Sequence, residues 1–227
     1  MTVSLPDLPP PPGSCATTAP FVVDLDGTLL KSDLLFESLM SLVRDKPLRC
    51  LQLLPWLWHG KAYLKDRLAQ SADIDIGTLP FDAHVLRMIE EQRNTGRRIV
   101  LATASHHTLA RRIAEHLKVF DDVLGTTLEQ NLSGTNKRDA LVTLYGEKGF
   151  DYIGNSLDDL PIWHSARRAY IVNPLAGVER ATRHLNNVVK VVDSRVTYFS
   201  SLYRALRIHQ WMKNLLIFVP LLAAHEC

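Results

Sequence analysis

The five residues Asp24-Leu25-Asp26-Gly27-Thr28 constrain this chain more than any other stretch. They follow Phe21-Val22-Val23, a short apolar run that reads as a buried strand. Side chains two positions apart on an extended chain lie on the same side. Asp24 and Asp26 therefore converge at the strand's carboxyl end, where open α/β sheets bind their ligands. Ionised and about 4 Å apart, such carboxylates repel by roughly 4 kcal/mol at an effective dielectric near 20. A divalent cation or a shared proton removes that cost. Gly27 lets the chain turn away steeply, and Thr28 adds a hydroxyl to the turn. The pattern is that of a catalytic carboxylate pair rather than a surface turn.

Downstream, short apolar runs alternate with segments of helical periodicity. Helices are expected over Phe81–Asn94, His107–Lys118, Lys137–Tyr145, Leu157–Ser165 and Glu179–Leu185. Strands are expected over Ile99–Thr103, Val123–Gly125, Tyr152–Gly154, Tyr170–Val172 and Val188–Val192. This alternation predicts an α/β fold, a parallel sheet covered by helices on both faces. Between Asp33 and about Asp73 the reading is helical, with Leu34, Leu35, Leu39 and Leu42 at helical spacing and Pro47 and Pro55 as breakers.

The first strand and its carboxylates resemble the opening motif, Asp-x-Asp-Gly-Thr, of the haloacid dehalogenase superfamily of phosphohydrolases. Three more segments continue the resemblance in order. Arg98 to Thr103 is an apolar strand ending in a hydroxyl, Lys137 is a lone basic residue at a helix start, and Tyr152 to Asp159 is similar to the acidic Gly-Asp-Ser-x-x-Asp motif. The set spans about residues 20–193 and implies a Rossmann-like core over 20–32 and 79–193. Residues 33–78 match the small helical cap that many members insert after the first strand. Leu51 to Leu64, with Trp56 and Trp58, reads either as the cap's own core or as a greasy surface for lipid or a lipid-linked substrate.

The resemblance also implies the chemistry. Asp24 attacks phosphorus and becomes an aspartyl phosphate. Asp26 protonates the leaving oxygen and then activates water. Gly27, Thr28, Thr103, Ala104 and Ser105 surround the phosphoryl group, with Ser105 a rival to Thr103 for holding it. Lys137 neutralises the charge cluster. Mg²⁺ is held by Asp24, Asp26, Asn155 and the pair Asp158 and Asp159. Asn155 stands where the family usually has a metal-binding Asp. An amide oxygen still binds Mg²⁺ but brings no negative charge, which Asp158 is placed to restore. A weakened module that scaffolds or regulates an attached membrane enzyme is the alternative. His106 and His107 read as solvent-facing residues at a helix start.

A net charge of +2 argues against non-specific nucleic-acid binding. The three cysteines, Cys15, Cys50 and Cys227, form neither a disulfide framework nor a metal spacing, which suits a reducing compartment. Residues 1–19, with Pro9-Pro10-Pro11-Pro12, are expected to be an extended leader. Residues 194–227 read as a basic helix followed by the apolar run Leu215–Ala224. That run is well short of the roughly 20 residues needed to span a bilayer. Arg204 to Pro220 resembles the opening of UbiA-type membrane prenyltransferases, particularly those that attach phosphoribose to polyprenyl phosphate. An ordinary amphipathic helix is the plainer reading. The resemblance implies a membrane-attached enzyme with this part on the cytoplasmic face, as Arg195, Arg204, Arg207 and Lys213 also suggest. It further implies a phosphorylated small molecule or lipid-linked sugar as substrate. Oligomeric state is open.

Overall fold

The computed structural model describes residues 19–45, 53–58, 67, 74–127 and 130–192. The expected leader before residue 19, much of the expected cap and the whole 194–227 segment lie outside these residues. Among the described residues no helix is long and apolar enough to cross a membrane.

Six parallel strands form the sheet: β1 (Phe21–Val23), β2 (Ile99–His106), β3 (Asp122–Thr126), β4 (Asp151–Gly154), β5 (Arg168–Val172) and β6 (Val188–Val192). The helices are α1 (Leu34–Asp45), α2 (Leu53–Trp58), α3 (Ala83–Asn94), α4 (His107–Leu117), α5 (Gly134–Tyr145), α6 (Leu160–Ser165) and α7 (Val178–Thr182). The expected α/β fold is therefore present. Spatial order is β3-β2-β1-β4-β5-β6, so connections run outward in opposite directions from β1 and β4. The resulting switch point leaves a crevice at their carboxyl ends.

Period-two alternation in β1 explains both layers. Phe21 and Val23 pack on one face with Leu34 of α1, Val85 and Ile89 of α3, and Leu109 and Ile113 of α4. Val22 points the other way, to Leu141 of α5, Ile162 and Trp163 of α6, and Val178 of α7. All of these are nearly or fully buried. At roughly 25 cal/mol per Å² of apolar surface, this two-sided burial is the main stabilising force.

Several boundaries differ from the sequence reading. β2 runs to His106 because its edge pairing resumes there, with His106 opposite Thr126 after a register shift. α5 begins at Gly134, so Lys137 lies one turn inside it. The acidic segment makes a 3-10 turn, Leu157–Asp159, before α6. Pro55 does not end a helix: it sits in the first turn of α2, where a missing N–H costs nothing.

The opposite, amino-terminal edge carries an ionic clamp. The Asp151 carboxylate is fully buried and accepts from Arg97 Nη2 at 2.7 Å and from Arg167 Nε and Nη2 at 2.8 and 2.9 Å. Arg97 also donates to the Ala19 carbonyl, tying the entry to β1. Removing the carboxylate strands a buried guanidinium, so Asp151→Ala should cost about 3–5 kcal/mol of stability in urea denaturation. A loss below about 1 kcal/mol would mean that the clamp is dispensable.

Candidate active site

Where β1 ends, Asp24 is buried and lines a cavity of about 700 Å³. Lys137 Nζ donates to its Oδ1 at 2.7 Å, and Thr28 Oγ1 donates to its Oδ2 at 3.2 Å. Loss of water raises the Asp24 pKa from 3.8 to about 7; Lys137 opposes this, while Asp159 and Asp26 add to it. Burial alone would lower the Lys137 pKa, but Asp24 and Asp159 more than offset it and hold that pKa above its ordinary value. Lys137 is a charged ammonium inside the protein.

Asp26 shares the cavity wall and is fixed from two sides. The Leu34 N–H at the start of α1 donates to Oδ1 at 2.8 Å, and Ser105 Oγ donates to Oδ2 at 2.7 Å. Burial raises the Asp26 pKa, and those two donors act against the rise. A carboxyl held this way can carry a proton and return it. Between the aspartates, Leu25 is fully buried, which anchors the turn. Gly27 has a φ of 74°, and a Cβ there would lie 2.2 Å from Asn155 Nδ2. Only glycine lets the β1 and β4 ends approach so closely.

The expected phosphoryl-binding residues divide. Thr103 is buried at 1% exposure; its Oγ1 donates to Asp26 Oδ2 at 3.3 Å and accepts from the Ser105 N–H at 2.9 Å. Ala104 and Ser105 line the cavity, whereas Thr103 stands behind them. The extension of β2 past Thr103 causes this, since it carries the next two residues to the rim. Thr28 likewise supports Asp24 from below the cavity floor. His106 caps α4, accepting from the Thr108 N–H. Burial, with Arg111 beside it, lowers the pKa of His107.

The acidic segment also departs from expectation. Asp158 is exposed at the cavity mouth, as is suitable for a solvent-facing charge. Asp159 is buried, and its Oδ2 accepts from the N–H groups of Asn155 and Ser156 and from Ser156 Oγ at 3.0–3.2 Å. Its Oδ1 accepts from Tyr152 OH at 2.7 Å. Asp159 therefore braces the loop while it also lines the cavity. Asn155 lines the cavity beside Gly27.

Among the described residues no group of three His, Cys, Asp or Glu side chains could hold a metal ion alone. A hard dication nevertheless fits the donors present. Asp24, Asp26 and Asn155 offer oxygen only, and Asp24, Asp26 and Asp159 outnumber the lone buried cation Lys137 among these side chains. Sequence reasoning missed Tyr152, and the mouth residues Lys31, Ser32 and Asp33, and Thr126, Asn131 and Ser133. The only signal was Tyr152's position two before Gly154, which puts both on one side of β4.

Comparison with known proteins agrees with this architecture. The chain is 36% identical over 203 residues to y4nM, an uncharacterised protein of Sinorhizobium fredii; the match takes in 89% of this chain and 39% of that one. A protein of unknown function from Bordetella pertussis Tohama I has the same fold, with a TM-score of 0.58 and 14% identity over 78% of this chain and 99% of that one. A phospho-aspartyl intermediate analogue of phosphoserine phosphatase gives a TM-score of 0.55 at 12% identity, over 82% and 99% of the two chains. The family model of haloacid dehalogenase-like hydrolases matches residues 21–164, the span that holds every cavity-lining residue except Leu175, and the chain belongs to that family.

Proposed function

We propose that this hydrolase is a Mg²⁺-dependent phosphatase that works through an aspartyl phosphate on Asp24. The observation that carries the reading is a buried Asp24 held on Lys137, with Asp26 oriented by Ser105 and Leu34 on the same cavity wall. An Asp24 oxygen attacks phosphorus as the bond to the substrate's alcohol oxygen breaks, and Asp26 gives that oxygen its proton. Asp26 then takes a proton from water, whose oxygen displaces Asp24 and releases inorganic phosphate. Ser105 and the backbone at Ala104 face the phosphoryl oxygens, and Lys137 offsets charge on Asp24 throughout. Asp24, the Asp26 carbonyl and Asn155 would hold Mg²⁺, which supplies positive charge for the transferring phosphoryl. The neutral Asn155 supports the second reading, a weakened module that scaffolds or regulates a membrane prenyltransferase.

We infer a finer substrate as well: polyprenyl-phosphoryl 5-phosphoribose, from which the domain removes the 5-phosphate and leaves the diester to the lipid intact. The UbiA-like residues 204–220 support an attached prenyltransferase that makes this compound and would present it at high effective concentration. This chain spans only 39% of y4nM, so that relative has ample length for another domain. Trp58 at 94% exposure, with Phe36 and Met40 also exposed, offers apolar surface for a lipid on the cytoplasmic face of the membrane. With Mg²⁺ and a short-chain version of this lipid, phosphate release should exceed that from a soluble sugar phosphate. No preference would remove the lipid assignment, and no metal-dependent release from any phosphomonoester would favour the scaffold reading.

Two further outcomes are expected. Asp24→Asn should abolish turnover, and Asp26→Asn should lower kcat by about 10²-fold or more; near-native rates in folded Asp24→Asn protein would contradict the assignment. The metal should also show a proton linkage. Because the Asp24 pKa rises from 3.8 to about 7 on folding, its contribution to stability is full below 3.8 and is lost as pH rises through 7. Mg²⁺ must displace that proton at acid pH, so it should raise Tm more at about pH 8 than at about pH 6, and more again in Asn155→Asp. A Tm unaffected by Mg²⁺ at either pH would exclude the site.

A further inference from the structure

Tyr152 is the buried polar group that the hydrolytic steps leave without a role. It is fully buried on β4, and its hydroxyl stands between two groups of opposite charge. It donates to Asp159 Oδ1 at 2.7 Å and accepts from Lys137 Nζ at 3.1 Å. Lys137 and Asp159 are themselves 3.8 Å apart, beyond a hydrogen bond. The Lys137 ammonium also lies 5.7 Å from the centre of the Tyr152 ring. The far edge of Asp159 is held by the Asn155 and Ser156 N–H groups. Gly154 makes room for this packing, since a Cβ there would lie 2.6 Å from Asp159 Oδ2 and 2.9 Å from Tyr152 Cε1.

Three carboxylates, Asp24, Asp26 and Asp159, act on one ammonium here. An ammonium able to reach both Asp24 and Asp159 directly would divide its time between them. The phenol blocks this: it satisfies Asp159 with an O–H and offers Lys137 an oxygen in place of the carboxylate. We propose that Tyr152 is a positioning residue that keeps Lys137 on the nucleophile Asp24, a reading that rests on the proposed aspartyl-phosphate chemistry. Burial, with Asp159 and Asp24 adding to it, pushes the phenol pKa well above 10, so the hydroxyl keeps the proton that this arrangement requires.

Tyr152→Phe removes only the hydroxyl and leaves the ring against the ammonium. In the full chain with Mg²⁺ and p-nitrophenyl phosphate, kcat should fall about tenfold or more while KM changes less than about twofold, the size of one lost hydrogen bond to a charged group. Because Tyr152 acts through Lys137, the same change in a Lys137→Ala background should cost less than about twofold. Equal losses in both backgrounds, or an unchanged kcat, would overturn the proposal. The ¹⁵N signal of the Lys137 ammonium supplies a readout independent of turnover. It should move in folded Tyr152→Phe protein, and an unmoved signal overturns the proposal even if the wild-type chain hydrolyses nothing. A wild-type chain without metal-dependent turnover would instead count against the proposed function, leaving the ammonium signal to decide the role of Tyr152.

Discussion

The buried ion pair between Lys137 and Asp24 is the interaction on which the site depends, because it sets how much negative charge the interior can hold. Desolvation of an ion costs several kcal/mol, and a carboxylate without a partner avoids that cost by taking up a proton. Asp24 is poised between these outcomes, with a pKa near 7 despite a lysine at 2.7 Å. One ammonium cannot neutralise Asp24, Asp26 and Asp159 together. Asp159 meets its need through backbone N–H groups and Tyr152, and Asp26 through Ser105 and the first turn of α1. The charge left on the cavity side is what a dication and then a phosphoryl group would engage.

The sheet makes this arrangement possible by bringing distant segments to one point. The residues following β1 and β4 and the last residues of β2 meet beside the switch in strand order, and α5 delivers Lys137 from the second face. Side-chain packing limits their approach, which explains the glycines at 27 and 154: a Cβ at the first would displace the Asn155 amide, and one at the second would displace Asp159 and the Tyr152 ring. At the other end of the same strands, Asp151 and its two arginines hold the amino termini together. The carboxyl ends can then carry unbalanced charge without the strands parting.

How much of this was legible in the chain followed the range of the interactions. Asp24 and Asp26 were readable because two-residue spacing on an extended chain fixes their side, whatever surrounds them. The parallel sheet was readable from alternating periodicities, and β6 was placed at Val188–Val192 from its sequence alone. Ser105 was readable as a rival to Thr103, but the choice between them was not, since it depends on β2 pairing with β3 beyond Ala102. The bracing of Asp159 by the Ser156 turn was hidden too, since it shows only once the turn brings one carboxylate oxygen back onto the backbone N–H groups. Tyr152 and the Asp151 clamp were equally hidden, because their partners lie as far away as 15 and 54 residues along the chain. No local pattern records such pairings.

The central claim, that Asp24 carries the phosphoryl group, is open to direct chemical trapping. Full-length protein turning over a phosphomonoester with Mg²⁺ can be quenched in acid, reduced with borohydride and mapped by mass spectrometry. An acyl phosphate is reduced by this treatment, whereas a free carboxylate is not. Substrate-dependent reduction of residue 24 to homoserine, with Asp26, Asp158 and Asp159 unchanged, is the predicted result. Reduction at another carboxylate, or none while phosphate is being released, would contradict it.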